Sequence, residues 1–204
     1  MKKIFLFSAM AVLMMSSVVT LNSCKKGADD PSISLRSRTS RLAGKWTIST
    51  GNTTTTNNNG GSTSTSTTTI AGTTETIVAN NNTSIGTVEY TIEFLKDGTY
   101  TSVMNETFTG YSSKVTSNGT WNFVAGGNDL NNKEAVILNQ LQSTDVTTIG
   151  SSSSTTVTST PKSSSVSIWK ITRLANKELV VTSDDSYSSG SNNSTTTSTM
   201  TFVQ

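Results

Sequence analysis

The chain has no histidine, a single cysteine (Cys24) and only two prolines among 204 residues. Each scarcity excludes a class of chemistry. Without histidine there is no Ser-His-Asp or Cys-His nucleophile system. With one cysteine there is no disulfide within the chain and no His/Cys zinc centre. Charge is also sparse, at 14% of residues with a net of +2. Lys2, Lys3, Lys25 and Lys26 crowd the N-terminal end, which leaves the body near neutral. No basic face for nucleic acid is expected. The carboxylates Glu93, Asp97, Glu106, Glu134 and Glu178 read as turn or outward positions. They suggest no acid–base pair of the glycosidase kind. Asp184-Asp185 and Asn128-Asp129 read as turns, because neither repeats the oxygen-ligand pattern of a calcium loop. A non-enzymatic protein without metal or cofactor is expected.

What the chain has in excess is hydroxyl. It carries 34 Ser and 39 Thr. Thr is stiff at χ1 and Ser competes for backbone hydrogen bonds, so both disfavour helices. Thr suits strands, and Ser suits loops.

The first 23 residues read as a secretory signal: Lys2 and Lys3, then an apolar run over residues 4–19 that is short for a membrane span. It closes with Leu21-Asn22-Ser23-Cys24, which resembles the lipobox of bacterial lipoproteins. The resemblance implies cleavage between Ser23 and Cys24 and lipid on the Cys24 sulfur. Asn22 is a less common residue at its position than Ala or Ser. Two or three acyl chains, at about 0.8 kcal/mol per buried CH₂, would hold the protein to a bilayer. Residues 24–40 read as the lipidated N-terminus and a flexible tether, able to reach about 50 Å when extended. Asp29-Asp30 resembles the acidic surface-export signal of Bacteroidota lipoproteins. The expected location is an outer membrane, with surface display.

Strand signals begin at Arg41. Leu42, Trp46 and Ile48 share one face at period two, as do Tyr90, Ile92 and Phe94. Asp97-Gly98 is a hairpin signal of the type I′ kind, which wants positive φ at both positions. Asn118-Gly119 reads as a second such turn, leading to Trp121 and Phe123 on one face. Residues 67–79 (weak in apolar content), 99–108, 134–141, 165–174, 178–182 and 199–203 complete the set, with residues 175–177 as a tight turn. Eight or nine strands joined mainly as hairpins suggest an all-β, antiparallel barrel or sandwich over residues 41–204. Three hydroxyl-rich tracts interrupt it, at residues 53–69, 143–165 and 183–198. They are either polar loops or extensions of the flanking strands. Two of them fall at one barrel end, opposite the tight turns.

Gly44-Lys45-Trp46 is the Gly-x-Trp that opens lipocalins. Three further segments follow in order: residues 94–100 (FLKDGTY), 119–123 (GTWNF) and 169–174 (WKITRL). Together they resemble the lipocalin-like lipoprotein domains of Bacteroidota. The resemblance implies an up-and-down β-barrel with an internal cavity, or a side-chain-filled version of it. It assigns Gly44 and Trp46 to the barrel floor, with Arg173 as the late basic residue beside the tryptophan. The family's short helix before the first strand is not evident, nor is its C-terminal helix.

The aromatic set Tyr90, Phe94, Tyr100 and Trp121 either lines a pocket for an apolar ligand or fills a small core. The first option gives a lipid-anchored binding module for a small apolar or amphipathic ligand. The second gives a solid structural, interaction or adhesion lipoprotein whose loops meet an envelope protein. The Ser/Thr tracts also offer sites for sugar.

Overall fold

The computed structural model describes residues 37–124, 135–159, 166–189 and 192–204. Cys24, the lipobox and most of the expected tether, with Asn128, Asp129 and Glu134, lie outside the described residues. Among the described residues, one short helix, α1 (Arg38–Leu42), precedes eleven antiparallel strands. These are β1 (Gly44–Asn59), β2 (Ser62–Ala71), β3 (Thr74–Ala79), β4 (Asn82–Phe94), β5 (Thr99–Phe108) and β6 (Tyr111–Val124), followed by β7 (Ala135–Ile149), β8 (Ser152–Ser159), β9 (Val166–Leu174), β10 (Glu178–Ser189) and β11 (Asn192–Val203).

The all-β, antiparallel barrel expected from the sequence is present. Ten strands close through the β6–β7 pairing, and β8 stands outside the circuit on the upper half of β7. The number exceeds the expected eight or nine because the hydroxyl-rich tracts are themselves strands. β1 and β11 stay paired from Thr47↔Val203 to Asn59↔Asn192. Inward hydroxyls bond across the ladder, with Thr53 and Ser198 at 3.0 Å and Thr55 and Thr196 at 3.1 Å. Such cross-strand pairs supply the contact that apolar side chains give elsewhere.

The barrel has two unlike halves. At the base, β1 pairs directly with β4 from Gly44↔Phe94 to Thr47↔Thr91. Above it the β2–β3 hairpin inserts between them, its turn tied by Gly72 N–H to Ser49 O at 2.8 Å and by Val88 N–H to Thr73 O at 2.9 Å. The apolar core sits in the base, where Trp46, Ile48, Ile92, Phe94, Trp121, Ile171, Val181 and Phe202 interdigitate. Phe94 meets Trp121 edge-on at 5.6 Å, and Trp121 meets Phe123 in the same way.

Three turn expectations need correction. Asp184-Asp185 is no turn: both residues lie within β10 and pair with Thr197 and Thr196 of β11. Asn118-Gly119 is no turn: it lies within the continuous strand β6, at a bulge where β7 gains one residue, Leu141. The β5–β6 turn instead falls at Thr109-Gly110, with Gly110 at φ 76°. Asp97-Gly98 is a hairpin turn, but only Gly98 has positive φ. Asp97 Oδ1 accepts from Thr99 N–H at 2.9 Å and from the Thr99 hydroxyl at 2.7 Å. The side chain thus mimics a backbone turn, and a type I′ geometry is not needed.

The base is capped by the helix not evident in the sequence: Arg41 and Leu42, expected to open the first strand, are helical, and the strand starts at Gly44. Ser37 Oγ accepts from Ser40 N–H at 3.1 Å, an N-cap bond. Trp46, fully buried, donates from Nε1 to Leu42 O at 2.7 Å. Buried Arg41 donates from Nη1 to Leu174 O, and Arg38 lies 5.8 Å above the Phe123 ring. Arg173 sits where a bulge at Thr172 reverses the alternation of β9, and its Nε lies 3.1 Å from the half-exposed Glu178 carboxylate. Arg41 is therefore the basic residue buried at the base.

Candidate ligand cavity

Above the packed base the lumen opens into a cavity of about 400 Å³. Its lower wall is aromatic, formed by Tyr90 of β4, Tyr100 of β5 and Trp169 of β9. Phe202 fixes two of these rings. Trp169 stacks on it at 5.6 Å and 24°, while Tyr90 meets it edge-on at 5.6 Å. Met104, Val115 and Leu138 continue the apolar surface, and Ser102, Ser117, Gln140 and Asp185 add polar groups. The exposed surface of this lining is more polar than apolar, so the apolar contacts open to a guest are concentrated on the aromatic lower wall.

The four aromatic residues read as either pocket lining or core filling divide into two pairs. Tyr90 and Tyr100 do line the cavity. Phe94 and Trp121 are packed into the core beneath it, and Trp121 is pinned there by Nε1 donating to Leu95 O at 3.0 Å. Burial, the neighbouring Tyr100 phenol and a partly offsetting hydrogen bond with Ser102 leave the Tyr90 phenol far above its ordinary pKa. Burial also raises that of Tyr100. Both rings therefore stay neutral and can donate a hydrogen bond to a guest.

Tyr100 owes its place to Gly119. A Cβ on Gly119 would lie 2.8 Å from Tyr100 Cε1 and 2.1 Å from Asn139 O. The glycine lets the ring and the β7 backbone approach together.

The upper lumen is polar and acidic. Glu75 of β3 and Glu106 of β5 project inward, as does Asp145 of β7, which accepts from the Ser113 hydroxyl at 3.2 Å and the Thr147 hydroxyl at 3.0 Å. The sequence reading placed Glu106 among outward, solvated carboxylates. It shares the inward phase of Met104 and Phe108 instead, and lines a recess of about 360 Å³ with Ile77, Ser84, Phe108 and Tyr111. Glu75 was missed altogether, although it stands two residues before Ile77 on the same phase. Burial, then the nearby Glu106, raise the Glu75 pKa from 4.5 to about 6. Burial, then Asp145, raise that of Glu106. Glu93 is exposed. Asp184 faces outward, where it pairs with Lys170 at 2.9 Å.

No protein-family model, curated protein or solved structure matches the chain. What the cavity accepts has to be argued from its own lining. Among the described residues, no group of three or more Asp, Glu, His or Cys side chains could hold a metal ion, and no helix is long and apolar enough to cross a membrane.

Proposed function

We propose that the protein is a lipid-anchored, lipocalin-like binding module, held to an outer membrane through Cys24 and displayed at the surface. It holds a small apolar or amphipathic ligand inside the barrel and performs no catalysis. The cavity of about 400 Å³ over an aromatic wall carries this reading. A barrel filled by its own side chains would leave no such space. The Leu21-Asn22-Ser23-Cys24 motif supports the anchor.

The test is titration with a neutral fluorescent probe, N-phenyl-1-naphthylamine, read by energy transfer from tryptophan. Saturable binding near one equivalent is expected. Met104→Trp, which places bulk in the cavity, should abolish it while leaving the thermal transition in place. Equal binding by the filled variant would overturn the reading.

A second reading is an interaction or adhesion module, and one observation favours it. Among the described residues, the outer edge of β8 and the upper edge of β10 carry no strand partner. Val157 and Tyr187 stand exposed on these two segments, and unpaired edges invite strand addition.

A further inference from the structure

Among the described residues, charge in the upper lumen has one sign. Glu75, Glu106 and Asp145 project inward there, and Asp185, itself exposed, lies on the inward phase of β10 at the cavity wall. The described lysines and arginines lie elsewhere. Arg38 and Arg41 belong to the base helix, and Lys96 and Lys177 to base turns. Lys45, Lys114 and Lys170 occupy outward phases of their strands, and Arg173 pairs with Glu178. Buried carboxylates normally carry a compensating cation or a full set of hydrogen bonds. Among the described residues Glu75 has neither: it is 5% exposed, and its Oε2 has no hydrogen-bond partner there.

Strand register ties these carboxylates to the cavity below. Asp185 is part of the cavity wall. Asp145 stands directly across from Val115, and Val115 across from Met104, both of which line the cavity. Glu106 is the next inward residue above Met104. An occupant resting on Tyr90, Tyr100 and Trp169 therefore has carboxylates around its upper end. Glu75 lies near enough to Glu106, and Glu106 to Asp145, for their charges to interact, while Asp185 stands at the cavity wall; among the described residues no trio is placed to share a metal ion. Such spacing suits a bulky organic cation better than a bare ion. The aromatic faces beneath add cation–π attraction of about 0.5–2 kcal/mol.

We infer that the ligand is a cationic amphiphile, with an apolar portion on the aromatic wall and a protonated or quaternary ammonium head among Glu75, Glu106, Asp145 and Asp185. The inference rests on the ligand-binding reading above and specifies the charge of the ligand.

The experiment displaces bound N-phenyl-1-naphthylamine from the purified full chain at pH 7 with decylamine, decanol or decanoic acid, each below its micelle concentration. Decylamine should displace the probe at a concentration about tenfold or more below that of decanol, with decanoic acid the weakest. The preference should shrink to within about threefold in Glu106→Gln/Asp185→Asn, which removes charge with little change in shape. Raised salt should weaken decylamine more than decanol. Decanol or decanoic acid matching decylamine would overturn the cationic assignment and leave ligand binding intact. Displacement of the probe by calcium chloride alone would also overturn it, in favour of a metal ion. If the probe does not bind at all, ligand binding itself fails and the cationic assignment fails with it.

Discussion

The ring of Tyr100 occupies the space that a Cβ on Gly119 would need, at 2.8 Å from Cε1. The same missing carbon lets Asn139 O of the next strand come in at 2.1 Å. One neighbour is backbone and cannot swing aside. Gly119→Val should therefore destabilise the barrel by about 2–3 kcal/mol, at the upper end of overpacking costs. The midpoint of urea unfolding checks this, with Gly110→Ala as a control, where the added Cβ meets nothing within 4 Å and only backbone strain is introduced.

Trp46 joins helix to strand through its bond to Leu42 O at 2.7 Å. Trp46→Phe removes the donor, leaves a buried carbonyl short of a partner and opens a small void. A loss of about 2 kcal/mol is expected. Hydrogen exchange should also rise at the Arg41 and Ala43 amides, which donate to Ser37 O and Thr39 O. Unchanged protection there would show that the helix does not depend on this tryptophan.

The raised pKa of Glu75 fixes a sign for pH dependence. The folded state holds this proton to about pH 6, whereas an ordinary glutamate releases it near 4.5. Between those values the folded protein binds more protons than the unfolded chain, so stability falls as pH rises through the window. Above it the cost is fully present. Melting temperature should decline from pH 4.5 to 6 on this account, and Glu75→Gln should flatten the slope and raise the melting temperature at pH 7. A Gln variant that melts lower at pH 7 would contradict this.

Tyr90 and Tyr100 both have phenols with raised pKa values in the folded chain. Absorbance near 295 nm during alkaline titration should show these two ionising later than a free phenol does, with Tyr90 appearing only as the fold opens. Tyr90→Phe should delete the last step.

The anchor has its own test. Cys24→Ala should abolish incorporation of labelled palmitate in a host with lipoprotein-processing enzymes, and should release the protein from the membrane fraction. Continued labelling would remove the lipobox reading.

The sequence disclosed the base of the barrel far better than its upper half. Apolar alternation at Trp46 and Ile48, and at Tyr90, Ile92 and Phe94, marks strands with one buried face, and those are the strands around the core. β2, β8 and the upper parts of β1, β10 and β11 have Ser, Thr and Asn on both faces. They show no period, and their strand state comes from pairing with neighbours whose register is already set. Asn118-Gly119 misled because a turn and a close approach ask for the same residue: the turn needs glycine's φ, and the approach needs its missing Cβ. The base helix, at five residues, is too short for a periodic signal, although Ser37 is an ordinary N-cap residue. The acidic lumen was within reach. Glu106 alternates with Met104 and Phe108, and Glu75 with Ile77, so the phase of their apolar neighbours points both inward.

The inserted β2–β3 hairpin has a consequence for shape. Below it a circuit of eight strands closes through β1–β4. Above the base the wall gains β2 and β3 but loses closure elsewhere, because β9 pairs with β7 and β10 only at their lower ends, and the facing edges of β8 and upper β10 have no strand partner among the described residues. The packed floor is thus held on all sides by ladder hydrogen bonds, whereas the upper wall has a seam along which it can widen without breaking one.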